Sequence, residues 1–392
     1  MKRRQVLKGV SGIAAATAFG AATTGTVAAD CDTITPYGPF PPETAEENYE
    51  AFISNERLIE RLHHLEERTN VEYEVIGETW EGRPIPYATV GSGDFDVFHT
   101  TQQHGDEQPG TEAALQVLQE FGKSRGADDI LDELTIHVVP RHNPDGWAPA
   151  DDNETPTRSN GRPDDVCHDG PYFGPDQCGP VDPNRQHYFG IDPDVLAEAD
   201  GIDPELIPDE NPSPETQAFL EKAEEIDPDI VFDWHTQFTY YDSDCDLVNV
   251  SMAWPYNEKA PQDAVDLSKQ AVAALRDGVQ GRATGNVSQY PGGTAANIAR
   301  NAHGVLGRGS VLIEQRGQAP WLNNASNGRL IRQAKFMFDR LHEEAASGDL
   351  FDRSPDEVDD LEVVHGNFYW KNLPEDEQEE AEAYWEEHRM SH

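Results

Sequence analysis

The sequence predicts an α/β fold with a largely parallel or mixed sheet. Three observations carry this. Short apolar runs rich in β-branched residues recur at 73–79, 85–90, 96–101, 134–140, 230–234 and 310–314. Segments with a 3.6-residue apolar period fall between and around them at 49–69, 111–121, 214–224, 262–278 and 327–344. Strands alternating with helices over some 300 residues suit one large α/β domain better than several small ones.

Each element has local support. The 214–224 helix begins at Pro214 behind Ser213, a residue type that caps helices. The run 230–234 is apolar on both faces, as a strand covered on both sides must be. The stretch 150–210 is dense in Pro, Gly, Asp and Asn, and so long a loop in a compact domain is usually functional or disordered. No internal repeat is visible.

Outside this body the chain divides into three further parts. Residues 1–29 read as a twin-arginine signal peptide: basic Met1–Arg4 with paired Arg3 and Arg4, an Ala/Gly/Thr-rich apolar stretch, and small residues before Asp30. An uncleaved anchor is the alternative, but the stretch is weakly apolar for a membrane span. Residues 30–48 read as a Pro-rich extended leader, 49–347 as the main α/β domain, and 348–392 as an acidic C-terminal extension. Export permits disulfides among the four cysteines. Cys167 and Cys178, close together in the polar stretch, are the favoured pair, leaving Cys31 for Cys245.

The chain carries 74 acidic and 29 basic side chains, a formal net charge of −45. Such a surface repels nucleic acid and anionic membranes, so neither is expected as a partner. Only 8 of the basic residues are Lys. An acidic, lysine-poor protein stays soluble where salt screens charge to about 3 Å, which points to a halophilic source.

Four sites carry chemistry. His104 and Glu107 stand three apart just beyond an apolar strand, and the turn at Gly105 lets both reach one ion. His235 ends the strand that begins at Ile230; a structural histidine is the alternative there. Two histidines and a carboxylate make the usual catalytic zinc set, with a fourth position open. Glu314 ends the apolar run Val311–Ile313, where a carboxylate is costly unless paired or working; it is either a general base or the ion-pair partner of Arg316. Asn184 and Arg185 follow Asp182-Pro183 in the polar stretch. They could grip a carboxylate, or Arg185 could merely neutralise its neighbours.

Taken in order, His104-x-x-Glu107, Asn143-Pro144-Asp145-Gly146, Arg158, Asn184-Arg185, His235, Tyr290 with Gly292-Gly293-Thr294, and Glu314 resemble the zinc metallocarboxypeptidases, the relatives of pancreatic carboxypeptidase. The resemblance covers 50–345. It implies a mixed, mostly parallel central sheet with helices on both faces, one Zn2+ per chain, and peptide substrates. It implies that His104, Glu107 and His235 bind the zinc, that Glu314 activates water, and that Asn184 and Arg185 hold the terminal carboxylate. It further matches Arg158 to the arginine that stabilises the oxyanion, with Arg141 and Arg162 as rivals. Tyr290 resembles the tyrosine that closes over substrate, although it stands nearer the Gly-Gly pair than in the best-known members. Pro183 and Gln186 also depart from the usual pattern. The uncharged residues after Gly293 (Thr294, Ala295, Ala296, Asn297) disfavour a pocket dedicated to basic side chains. The competing readings are an aspartoacylase-like zinc amidohydrolase and a non-catalytic binding module on the same fold.

Overall fold

Alternating side chains fix the sheet. In β3 (Phe95–Thr101) Val97 packs into one hydrophobic cluster and Phe98 into another, and in β5 (Ile230–Gln237) Phe232 and Val231 divide in the same way. Successive residues on a strand point to opposite faces, so both faces of these strands must be covered. The computed structural model describes residues 52–363, apart from 124–126, 152–154, 173, 238–239, 243–245, 283–284 and 317–326.

The other strands of the sheet are β1 (Glu72–Glu78), β2 (Pro84–Gly91), β4 (Leu134–Val139), β6 (Val250–Ala253), β7 (Val287–Gln289) and β8 (Gly309–Arg316). Their order is β1-β2-β4-β3-β5-β8-β6-β7. The central strands β4, β3, β5 and β8 run parallel, and β6 pairs parallel with β7. The β1/β2, β2/β4 and β6/β8 pairs are antiparallel. The sheet is therefore mixed and mostly parallel, as the sequence implied.

Helices cover both faces. On one side lie α1 (Asn55–Glu66), α2 (Pro109–Lys123), α4 (Gln262–Val279) and α6 (Asn327–Ser347), whose apolar residues share a cluster with Val97, Ile136, Phe232 and Ile313. Trp234 and Phe338 stack there with ring centroids 4.2 Å apart. On the other side α3 (Pro214–Ile226) packs Phe219 and Ala223 onto Phe98 and Val231, and α5 (Ala299–Val305) joins Tyr188 and Leu196 in a smaller cluster. The Ser213 cap forms as expected, its hydroxyl accepting from Thr216 N at 3.2 Å.

The polar stretch is organised by turn chemistry. Asp182, Asp192 and Asp203 each precede Pro, and each carboxylate accepts the backbone N–H two residues on, at 2.9, 2.9 and 3.0 Å. Asp caps the turn while Pro supplies the φ that the first helical residue needs. Cys167 and Cys178 are disulfide-bonded across a two-stranded ribbon. Cys31, Cys245, the 1–29 segment and the 30–48 leader lie outside the described residues.

Beyond α6, Gly348 turns the chain with φ of 87° and a short helix (Asp349–Asp352) follows. Leu350 and Val358 are buried against the main core, and Arg353 bonds Glu344, Asp277 and Glu357. No helix among the described residues is long and apolar enough to cross a membrane.

Candidate functional site

Parallel strands place their C-terminal ends at one edge of the sheet, where α/β folds gather their sites. At that edge β3, β5 and β8 deliver His104, His235 and Glu314. His235 and Glu314 are register partners on adjacent strands. His104 and Glu107 arrive from the turn between β3 and α2. That turn begins at Gln102, whose φ of 56° is unusual for a residue with a side chain. The Gln102 amide holds it at both ends: Nε2 donates to Gly105 O at 2.7 Å, while Oε1 accepts from Thr111 and Arg141.

The donor atoms of His104, Glu107 and His235 lie within 4.8 Å of one another, all buried. His104 Nδ1 and His235 Nδ1 are 3.0 Å apart, and the Glu107 oxygens sit 2.9 Å from the first and 2.8 Å from the second. The far nitrogens are oriented by carboxylates. His104 Nε2 lies 3.1 Å from Asp182 Oδ1, and His235 Nε2 lies 2.8 Å from Asp233 Oδ1. A carboxylate behind each imidazole keeps its proton on Nε2 and frees Nδ1 toward the common point. Gln103 bridges Asp233 to His187 and fixes it further.

This set fits zinc. Two imidazole nitrogens and one carboxylate can hold the ion and leave a position open. Burial alone would raise the Glu107 carboxyl, but the adjacent His104 and His235 outweigh it and hold it well below the usual range. Burial alone would lower His235, yet Asp233 and Glu107 raise it well above the ordinary imidazole value.

Glu314 is 3% exposed, and its Oε2 has no hydrogen-bond partner. It makes no ion pair with Arg316 among the described residues. Burial raises its carboxyl well above the usual value; Glu107 and Asp233 add to this, while His235 and Arg158 oppose it.

Tertiary structure separates the three arginines. Arg141 is committed to Gln102, Asn55 and Ile53 O, with its guanidinium over Trp147. Arg162 bonds His168, Val166 O and Gln177 O. Arg158 alone of the three reaches the metal-ligand cluster, with Nη1 3.9 Å from Glu107 Oε1. Its Nη2 and Nε bond Asp182 Oδ2 at 2.9 and 3.0 Å. Asn184 and Arg185 line the same cleft as His104, Tyr290 and Glu314. Asn184 Oδ1 accepts the N–H of Ala299 at 3.0 Å, so its amide is fixed. Tyr290 is buried in the wall of the cleft, and burial raises its phenol.

Three residues of the site escaped sequence reasoning. Asp233 and Asp182 orient the histidines, and each stands within three residues of a residue already singled out, the one signal that could have found them. Arg300, on α5, lines the cleft and follows no strand.

The fold recurs in solved structures of low identity. A metallo-carboxypeptidase from Burkholderia cenocepacia is 19% identical, with 78% of this chain and 70% of that one covered at a TM-score of 0.52. A metallo-carboxypeptidase from Pseudomonas aeruginosa is 17% identical over 77% and 71% of the two chains, with a TM-score of 0.53. Carboxypeptidase A from Helicoverpa armigera is 16% identical over 77% and 75%, with a TM-score of 0.54. The model of the zinc carboxypeptidase family matches residues 58–307, which span His104, Glu107 and His235. By that match, over more than half of its length, the chain belongs to the zinc carboxypeptidase family.

Proposed function

We propose that the protein is a zinc-dependent carboxypeptidase that hydrolyses peptides from the C-terminal end. One observation carries the reading: a buried three-donor metal cluster reaches, through His104, the cleft that also holds a buried carboxylate with an unbonded oxygen and an Asn-Arg pair. An endopeptidase has no need of the Asn-Arg pair. An exopeptidase needs a cation to hold the terminal carboxylate.

His104, Glu107 and His235 hold one zinc ion. When bound, zinc supplies Lewis acidity, which polarises a carbonyl and lowers the pKa of water toward about 7. Glu314 takes the proton of the attacking water on its free Oε2 and passes it to the leaving amine. Arg158, braced by Asp182, meets the oxyanion. Asn184 and Arg185 fix the α-carboxylate and so set which bond is cut. Tyr290 walls the cleft beside them and excludes water.

The measurement is zinc content and peptide hydrolysis together, at high salt, for the wild-type chain and Glu314→Gln. One zinc per chain, with stepwise loss of C-terminal residues that falls about 10²–10⁴-fold in the variant, is the expected result. Hydrolysis confined to small acylated amino acids would move the protein to the amidohydrolases, and no hydrolysis would leave a binding module.

Paired Arg3 and Arg4 support twin-arginine export, and the Cys167–Cys178 disulfide suits an oxidising destination. Replacing both arginines with lysine should trap the protein in the cell. The net charge of −45 supports function in high salt; a protein still folded and active after dialysis into dilute buffer would refute that.

A further inference from the structure

The cleft holds a second guanidinium. Arg300 is 4% exposed and lines the cleft beside Arg185, Tyr290 and Glu314. Its Nη2 donates to Gly293 O at 2.8 Å, and its guanidinium carbon lies 4.9 Å from the centre of the Tyr256 ring. Its Nε is buried with no hydrogen-bond partner. Among the described residues it has no carboxylate ion-pair partner; Glu314 and Asp233 influence it only at longer range. A buried cation without an anion is costly, and the face of one tyrosine offsets only part of that cost. Arg185 is in a similar state, its Nη1 donating to the backbone oxygen of Asn184.

Two buried guanidinia facing one cleft without paired carboxylates match a ligand that brings two carboxylates. We propose that Arg300 determines specificity and that the cleft takes peptides ending in aspartate or glutamate. The α-carboxylate lies on Asn184 and Arg185, and the side-chain carboxylate lies on Arg300. This rests on the carboxypeptidase reading above. An apolar terminal side chain would seal Arg300 away from water without an anion, which a site of this kind penalises strongly. Long-range repulsion of an acidic peptide by the chain is screened in salt, whereas the contact inside the cleft is screened much less.

The test uses the zinc-loaded full chain at high salt and three peptides that differ only in a terminal Glu, Leu or Lys. The expected kcat/KM for Glu exceeds that for Leu by about 30-fold, with Lys lowest. Arg300→Gln brings the Glu-to-Leu ratio close to one, and Arg300→Lys retains part of it. Leu or Lys peptides cleaved as fast as Glu, or a ratio unchanged in Arg300→Gln, would overturn the assignment. Should Arg300→Gln fail to fold by circular dichroism, Gly292→Ala supplies the same readout, because its Cβ would overlap Arg300 Nη2 and displace the guanidinium. If no peptide is cleaved, the carboxypeptidase reading fails and calorimetric titration decides the pocket. Tighter binding of N-acetylglutamate than of N-acetylleucine, lost in Arg300→Gln, sustains the assignment, and equal or absent binding rejects it.

Discussion

Glu215 carries a charge that the fold does not want. It sits in the first turn of α3 and is fully buried. Oε2 accepts from Asn160 Nδ2 at 3.2 Å and from the Ser213 hydroxyl at 2.9 Å, while Oε1 has no partner. Burial pushes its carboxyl from 4.5 up to about 7; nearby Asp145 adds to this, and the hydrogen bonds oppose it. The folded state therefore binds this proton more tightly than the unfolded chain. Below pH 4.5 both states are protonated and the group costs nothing. As pH rises from 4.5 to about 7 the unfolded chain ionises first, and folding loses up to about 3 kcal/mol. Glu215→Gln removes the charge, keeps an acceptor for Asn160 and Ser213, and puts an amide where the unpartnered oxygen was. Urea unfolding at constant high salt should show the variant level with wild type at pH 4.5 and about 2–3 kcal/mol more stable at pH 8. Equal stability at pH 8, or the same gain at both pH values, would refute the argument. The site has a stake in the outcome. The Asn160 side-chain Oδ1 accepts Val181 N–H at 3.0 Å and so joins the Arg158 segment to the segment bearing Asp182 and Asn184.

Three other outcomes follow from the same contacts. Asp233→Asn keeps the shape behind His235 but removes the charge, so zinc affinity in a chelator competition should fall about 10–100-fold, with hydrolysis restored by excess zinc; unchanged affinity would deny Asp233 its orienting role. A Cβ at Gly105 would overlap the Gly146 backbone, so Gly105→Ala should lose zinc on dialysis while its circular dichroism stays that of the wild type. Phe338→Ala removes the buried partner of Trp234 and should cost about 3–5 kcal/mol in urea unfolding.

The strands and helices that were legible in the sequence are those whose burial imposes a period. The 262–278 pattern falls within one residue of α4, and the 230–234 run lies inside β5. Strands β6 and β7, of four and three residues, are too short to show a period, as is α5 with seven. The 49–69 pattern overran α1 at both ends, because the cap that starts this helix is Ser54 accepting from Arg57 N. Within the site, His104, His235 and Glu314 were legible because they end apolar runs, where a polar side chain has few reasons to be. Arg158 was set ahead of Arg141 and Arg162 by resemblance alone; what separates them physically is their partners, Arg141 and Arg162 being buried on bonds of their own while Arg158 bonds Asp182 beside the metal donors. Arg300 was hidden for a related reason, since nothing in its sequence neighbourhood tells which face of a short helix it occupies.

The pattern of satisfied and unsatisfied charge in the cleft is itself informative. Asp182 is shared by His104 and Arg158, and Asp233 by His235 and Gln103. These paired groups are locked, and their geometry cannot follow a substrate. Oε2 of Glu314 and Nε of Arg300 have no hydrogen-bond partner. Buried polar atoms are rarely left unbonded, and each exception requires a reason. Two of the exceptions, of opposite charge, line the cleft that His104 opens onto. A carboxylate oxygen without a donor can receive a proton, and a guanidinium without a carboxylate can receive an anion. On the proposed reading, the locked groups would set where a peptide lies, the open oxygen of Glu314 would receive the proton of the attacking water, and Arg300 would receive negative charge brought by the peptide.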